Sequence, residues 1–281
     1  MNSVSLRQFY RDHTQKLQPL YPKQEAESLV LWLLDHFLGI KRKDILSDVK
    51  MSSATQEFDA AFQKLSQGIP VQYILKSAPF YGRTFKVGTG VLIPRRETEE
   101  LVHLILTRHQ GNCSVLDIGT GSGCIPITLA LEMPESEVYA MDVSGIALAI
   151  ARENASDLKA RVKFFQVDVL EEDLPVKGLD IVVSNPPYVK ESEKKAMHPN
   201  VLQHEPHLAL FVPDEDPLLF YRRISEIAPF SLTPGGYLYF EINETLGKET
   251  KDLLENLGYE EVTIYGDLNG KDRFVSGRWC P

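Results

Sequence analysis

Residues 115–123 read Val115-Leu116-Asp117-Ile118-Gly119-Thr120-Gly121-Ser122-Gly123. An apolar run ends in a glycine-rich turn, and the turn opens onto a helical segment, Ile125–Leu131. Glycines let the backbone turn sharply and pass close to a ligand at little steric cost. The pattern is DxGxGxG, not GxGxxG, because Cys124 stands where the third glycine would be. That departure counts against a dinucleotide whose pyrophosphate needs the helix N-terminus, and so against a dehydrogenase.

Outward from this turn the chain alternates. Strands are expected at Ser114–Ile118, Glu137–Asp142, Val162–Val167, Leu179–Ser184, Gly236–Ile242, Val262–Tyr265 and Arg273–Gly277. Helices are expected at Glu97–Thr107, Ile125–Leu131, Ala147–Asn154, Pro217–Ala228 and Thr245–Asn256. This is the signature of an α/β protein with a mostly parallel seven-stranded sheet covered on both faces. The last two strands are close in sequence and should pair antiparallel at one edge.

Upstream the texture changes. Leu29, Trp32, Leu33 and His36–Phe37, then Phe58, Phe62 and Leu65, recur at helical spacing. Pro19 and Pro22 separate the first two helices, and Ser52 or Ser53 is expected to cap the helix that runs through Gln63. Gly68-Ile69-Pro70 ends this part. Val71–Leu75, Phe80-Tyr81-Gly82 and Thr84–Val87 suggest short strands or a hairpin. The organisation expected is a helical bundle over 1–75, a β-hairpin connector over 76–96 and a catalytic domain over 97–281.

Composition bounds the class. The 281 residues are 43% hydrophobic and 25% charged, ordinary for a globular chain and excluding disordered or fibrous ones. The longest strongly apolar run, Leu29–Leu34, is far short of the ~20 residues of a membrane helix. Three cysteines form no CxxC pair, and no secretory or Arg/Ser-rich transit segment stands at the start, so a reduced cytoplasmic location is expected. Residues 1–84 hold 11 Lys/Arg and 8 Asp/Glu, net +3, while the remainder holds 19 and 31, net -12. An acidic body is a poor surface for phosphate backbones, which weighs against a nucleic-acid partner.

Three successive strand ends carry a suitable acid. Asp142, about 20 residues past the glycines, can accept both hydroxyls of a ribose. Asp168 can accept an adenine amine, with Val169 against the ring. Asp117 can face an amino-acid ammonium group. Together with Gly119, Thr120, Gly121, Ser122 and Gly123 they suggest a nucleoside carrying an amino acid and no phosphate, namely S-adenosylmethionine, with S-adenosylhomocysteine as product.

Further on, a buried strand runs into Asn185-Pro186-Pro187-Tyr188. The two prolines lack N–H groups, so the turn presents acceptors. Two acceptors suit a planar –NH2: Asn185 Oδ1 and the Pro186 carbonyl each take one N–H. Tyr188 offers a flat ring beside them. A carboxamide and an exocyclic base amine both fit this description. The segment Val189–His207 reads as a solvated loop, with substrate gating the alternative. Its histidines, His198, His204 and His207, lack metal-ligand spacing, and no metal is expected.

These residues resemble the HemK/PrmC family of peptide chain release factor glutamine methyltransferases. The resemblance rests on Gln67–Ile74, Val91–Glu99 (which contains Leu92-Ile93-Pro94-Arg95 and Glu97-Thr98-Glu99), Asp117–Gly123 and Asn185–Tyr188. Glu205-Pro206, Pro234-Gly235-Gly236 and Asp267–Arg273 extend it over about residues 67–281. It implies a class I, Rossmann-like methyltransferase fold and methyl transfer to the glutamine of the GGQ motif in class 1 release factors. It also implies that Asn185 and Pro186 hold the glutamine amide, that Asn185 also borders the cofactor, and that the helical domain contacts the release factor. A monomer is expected. Arg96 stands where the family pattern has proline, and Asn243 where it often has glycine. Competing readings are a glutamine methyltransferase of ribosomal protein L3, a DNA or RNA amino-methyltransferase and a non-catalytic cofactor-binding protein.

Overall fold

The computed structural model describes residues 4–51 and 54–281. In chain order the elements begin with β1 (Val4–Ser5), α1 (Leu6–Leu17), α2 (Lys23–Leu38), α3 (Arg42–Leu46), β2 (Lys50–Met51), α4 (Gln56–Ser66), α5 (Val71–Leu75), β3 (Ser77–Phe80) and β4 (Arg83–Lys86). Then follow α6 (Arg96–Arg108), β5 (Ser114–Ile118), α7 (Cys124–Glu132), β6 (Glu137–Asp142), α8 (Gly145–Leu158), β7 (Val162–Gln166), β8 (Leu179–Ser184) and β9 (Val189–Lys190). The last are α9 (Pro199–His204), β10 (Phe211–Val212), α10 (Leu219–Ile227), β11 (Leu232–Glu241), α11 (Gly247–Asn256), β12 (Tyr259–Gly266) and β13 (Asp272–Trp279). The chain forms two compact units. One holds residues 1–77 together with 198–204, and the other holds 78–197 and 205–281.

The first unit is a small helical bundle around Leu17, Val30, Leu33, Phe58 and Leu65, all buried. Ser5 caps α1 by accepting the Gln8 N–H at 3.2 Å, and Thr55 caps α4 by accepting the Phe58 N–H at 3.3 Å. The expected caps Ser52 and Ser53 lie outside the described residues. Two expectations are corrected here. A two-residue antiparallel pair, β1 with β2, occurs in a region read as wholly helical. Val71–Leu75 is a helical turn, not a strand. Pro70 precedes it with φ -53°, its carbonyl accepts the Tyr73 and Ile74 N–H groups, and Lys76 closes the turn in the left-handed region. A short apolar run does not distinguish helix from strand by pattern alone, and packing of α5 against α2 and α4 decides it.

The segment read as a solvated loop is also more ordered than expected. β9 pairs parallel with β10, residues 191–196 form a 3-10 turn, and α9 clusters with the first unit. There Asn200 Nδ2 donates to the Tyr21 hydroxyl at 2.8 Å, a contact between residues 179 positions apart that no local pattern reveals.

The second unit is built on a seven-stranded sheet of order β12-β13-β11-β8-β5-β6-β7. Every neighbouring pair is parallel except those made by β13, which runs antiparallel to β11 and β12. The central strands are buried on both faces. Val115, Ile181 and Val183 face a core shared with α6 and α7, while Leu116, Ile118 and Val182 face one shared with α10 and α11. This is why the strands read as continuous apolar runs instead of alternating ones.

The connector is a hairpin, β3–β4, turned through Tyr81 and Gly82, both at positive φ as a two-residue type I′ turn requires. Phe80 and Phe85 bury edge to face in the second unit's core. Asn154 on α8 anchors its end. It accepts the Lys86 N–H at 2.7 Å and donates to the carbonyls of Lys86 and Ser122 at 3.0 and 2.9 Å. One buried amide thus ties the hairpin to the glycine turn. Asn154→Ala leaves these groups without partners, which costs about 1–3 kcal/mol. The expected outcome is a melting temperature lower by roughly 3–10 °C in a thermal scan.

Candidate active site

The sheet reverses its winding between β5 and β8. From β5 the chain winds outward to β6 and β7; the next strand, β8, sits on the other side of β5. Ligands of such sheets bind at the carboxyl ends of the strands at this switch point. Ile118 lies opposite Ser184, and Ser184 Oγ donates to the Ile118 carbonyl at 2.8 Å. The next residues, Gly119 and Asn185, therefore leave adjacent strands at one level, about 5 Å apart. Phe240 of β11 lies opposite Ser184 on the other side, so Glu241 ends its strand beside Asn185.

A cavity of about 280 Å³ opens there. Of the residues singled out by sequence, Gly119, Gly121, Asp142, Asp168, Val169, Asn185, Pro186 and Pro187 line it. The ends of β5, β6, β7 and β8 each contribute to its wall. Gly119 and Gly121 sit at positive φ with open space where a Cβ would point, so both the turn and a ligand's approach favour glycine. Gly123 serves packing instead, since a Cβ there would meet Ile127 and Ala151. Asp142 accepts the Gly121 and Ser144 N–H groups, both at 2.8 Å, and burial holds its carboxyl above the usual range. Asp168 caps its own turn by accepting the Leu170 N–H at 2.9 Å.

Asp117, Thr120, Ser122 and Gly123 do not line the cavity; they are buried in and below the turn. Asp117 is 0% exposed, and neither of its carboxylate oxygens has a hydrogen-bond partner among the described residues. The hydroxyls of Thr120 and Ser122 are likewise unpartnered. Burial pushes Asp117 up to about 7, with the nearby Thr120 hydroxyl offsetting part of the effect. A buried carboxylate without donors is costly unless a cation or donor completes it. Orphaned acceptors under a nucleoside-sized cavity fit a ligand with an ammonium group at one end.

Tyr188 also lies outside the cavity wall, with its hydroxyl donating to Glu241 Oε1 at 3.3 Å. Glu241 is 1% exposed, accepts the Thr98 hydroxyl at 2.7 Å, and is pushed by burial to about 7. Thr98 in turn accepts Asn185 Nδ2 at 3.2 Å. Thr98 and Glu241 were not singled out by sequence as site residues. The signal was present: an acid interrupts the otherwise apolar run Tyr237–Ile242, where an unpaired charge would be excluded.

Two further walls also came only from the structure, Gly90–Leu92 and the stretch around Pro206, Leu208 and Ala209. A buried carboxylate joins them. Glu205 accepts the Ile93 N–H at 3.2 Å and the Arg95 guanidinium at 2.7 Å. Arg96 takes the first helical position of α6, where proline's missing N–H would cost nothing and where arginine is equally accommodated. Asn243 turns away from the cavity; it donates to the Tyr188 carbonyl at 3.4 Å and accepts from Thr245.

The sheet, its switch-point cavity and the acids at its strand ends define a class I methyltransferase dependent on S-adenosylmethionine. Residues 96–208 match the model of the methyltransferase small domain, and residues 9–75 that of the PrmC N-terminal domain. The release factor glutamine methyltransferase of Bacteroides thetaiotaomicron is 47% identical over 93% of this chain and 96% of its own. That of Flavobacterium psychrophilum is 42% identical over 96% and 98%. A methyltransferase structure from Pyrococcus furiosus shares the fold, with TM-score 0.53 and 17% identity over 72% of this chain and 91% of that one. The chain belongs to the release factor glutamine methyltransferase family.

The raised acids make stability depend on pH. Asp117 and Glu241 hold protons in the folded protein up to about 7 that the unfolded chain releases near 4. Between these values the native state binds more protons, so their contribution to stability falls as pH rises through that window. Thermal scans from pH 5 to 8 should therefore show Asp117→Asn gaining on the wild type as pH increases.

Proposed function

We propose that the chain transfers a methyl group from S-adenosylmethionine to the side-chain amide nitrogen of the glutamine in the GGQ motif of class 1 peptide chain release factors, in the cytoplasm. The observation that carries this reading is the register of β5 and β8, which sets the Gly119–Gly121 turn and the Asn185-Pro186-Pro187 turn at one level of one cavity. A cofactor turn and an acceptor-only turn side by side suit an –NH2 group brought to a methyl donor.

In this reading Asp117 takes the amino-acid end of the cofactor, Asp142 the ribose, and Asp168 with Val169 the base. Bound S-adenosylmethionine supplies a methyl group on a sulfonium that departs as a neutral thioether, so no acid is required. The chain's own task is to make a weak nucleophile reactive. An amide nitrogen is conjugated with its carbonyl, and the 18–20 kcal/mol barrier to peptide rotation measures the cost of losing that conjugation fully. Asn185 Oδ1 and the Pro186 carbonyl draw on the two N–H bonds, enrich the nitrogen and hold its orientation. Positioning of this kind contributes up to ~7–11 kcal/mol in favourable cases. The surplus proton leaves to water. The helical unit contacts the release factor, a role compatible with its net +2, from 10 Lys/Arg and 8 Asp/Glu in residues 1–77 and none of either in 198–204.

The test offers labelled S-adenosylmethionine with a release factor, the same factor with GGQ changed to GGA, ribosomal protein L3 and duplex DNA. Label on the release factor that vanishes with GGA is expected. Label on L3 or DNA alone would overturn the substrate assignment. Asn185→Ala is expected to slow transfer at saturating cofactor by roughly 10²-fold. Asp117→Asn should weaken cofactor binding by about 10–100-fold, the loss of a charge-assisted contact. Because only the carboxylate form binds a cation, wild-type affinity should fall as pH drops below about 7, and the variant's should not. Calorimetric titration across that range reads both effects.

A further inference from the structure

We propose that Thr98 and Glu241 are positioning residues that decide which end of the Asn185 carboxamide faces the cavity. A carboxamide presents an acceptor at one end and two donors at the other, in nearly the same shape. If Asn185 turned its Nδ2 to the cavity, it would oppose a donor to the donors of the substrate –NH2. The acceptor-only character of the turn depends on one rotamer of one side chain.

Three groups on three elements select that rotamer. Glu241 ends β11, Thr98 lies in the first turn of α6, and Asn185 follows β8. At pH 8, above the value near 7 to which burial lifts Glu241, its carboxylate only accepts. The Thr98 hydroxyl has a single proton, and it goes to Glu241 Oε2 at 2.7 Å. With its proton committed, Thr98 Oγ1 can only accept, and the group that meets it is Asn185 Nδ2 at 3.2 Å. Oδ1 is thereby left on the opposite side. The other carboxylate oxygen, Oε1, is taken by the Tyr188 hydroxyl at 3.3 Å, and Tyr221 donates to the Glu241 carbonyl at 3.3 Å, so the residue is held from both ends. Thr98 is 3% and Glu241 1% exposed, so bulk water does not compete for the Thr98 hydroxyl. The same relay gives Thr98, inside the Glu97-Thr98-Glu99 element, a chemical reason to be threonine.

The inference rests on the reading that Asn185 receives the acceptor nitrogen, and the experiment separates the two. Thr98→Val keeps shape and loses the hydroxyl; Thr98→Ser keeps the hydroxyl. Glu241→Gln, nearly isosteric, removes the acceptor-only character and guards against a folding defect in the valine variant. With a release factor at pH 8, Thr98→Val is expected to lower kcat by about 10–100-fold with KM and cofactor affinity changed less than threefold. Thr98→Ser should stay within threefold of wild type, and Glu241→Gln should fall between. Independently of activity, the cofactor-free protein is examined by NMR. Nuclear Overhauser contacts between the Asn185 Nδ2 protons and the residue-98 methyl should be present in wild type and lost in Thr98→Val. Equal kcat in wild type, Thr98→Val and Glu241→Gln, or unchanged contacts in the valine variant, would overturn the proposal. Wild-type inactivity on the release factor would overturn the substrate reading alone, and the NMR contacts would still decide the rotamer.

Discussion

The parallel, in-register pairing of β5 with β8 is the constraint on which the site depends. The two strands stop at one level because Ile118 faces Ser184, and the Ser184 hydroxyl closes on the Ile118 carbonyl. A slip of one residue would send every side chain of one strand to the opposite core, and both faces here are packed. The relative position of the glycine turn and the Asn-Pro-Pro turn is therefore inherited from the register of a buried sheet. Loops alone would not hold two such turns within a bond length's tolerance. Asn154, which also holds the end of the hairpin, reinforces the same place by donating to the carbonyl of Ser122.

Around this register the unit buries Asp117 and Glu241, which unlike the buried Glu205 and Asp267 form no ion pair among the described residues. Among the described residues Asp117 has no hydrogen-bond partner, and Glu241 is satisfied only by hydroxyls. Both are lifted to about 7 by desolvation, and both adjoin the strand ends where chemistry is proposed. Their difference is instructive. Asp117 is an incomplete set of acceptors, which we propose a cationic ligand completes. Glu241 is complete within the protein and works through its neighbours. Perturbed acids cluster at functional sites for such reasons, and the hydrogen-bond inventory tells the two kinds apart.

The elements that the resemblance quoted also acquire physical roles. Arg95 grips the buried Glu205, drawing the returning segment to the cavity wall beside Pro206. Thr98 links α6 to the end of β11 and to Asn185. Asp267 folds the turn before β13 by accepting the Asn269 and Lys271 N–H groups, and it pairs with Arg273, whose charge favours the ionised form of Glu241. None of the three was assigned a role from the sequence: Arg95 and Thr98 act through partners far away in the chain, and Asp267 through a local turn whose ion pair with Arg273 only the fold displays.

The sequence alone determined what is local. Apolar runs placed all seven strands of the large sheet, and the central ones read as continuous because a strand buried on both faces needs apolar side chains throughout. The glycine turn, the strand-end acids and Asn185-Pro186-Pro187 were legible because each is a short pattern whose chemistry follows from residue type. Val71–Leu75 is a helical turn and not a strand because a five-residue segment with four apolar residues satisfies both periods, and packing against α2 and α4 chose helix. The return of residues 198–204 to the first unit, the walls at Gly90–Leu92 and Pro206, and the Thr98–Glu241–Asn185 relay were decided by tertiary structure. They join residues from 87 to 179 positions apart in the hydrogen bonds that carry them, and local pattern contains no distance between such residues.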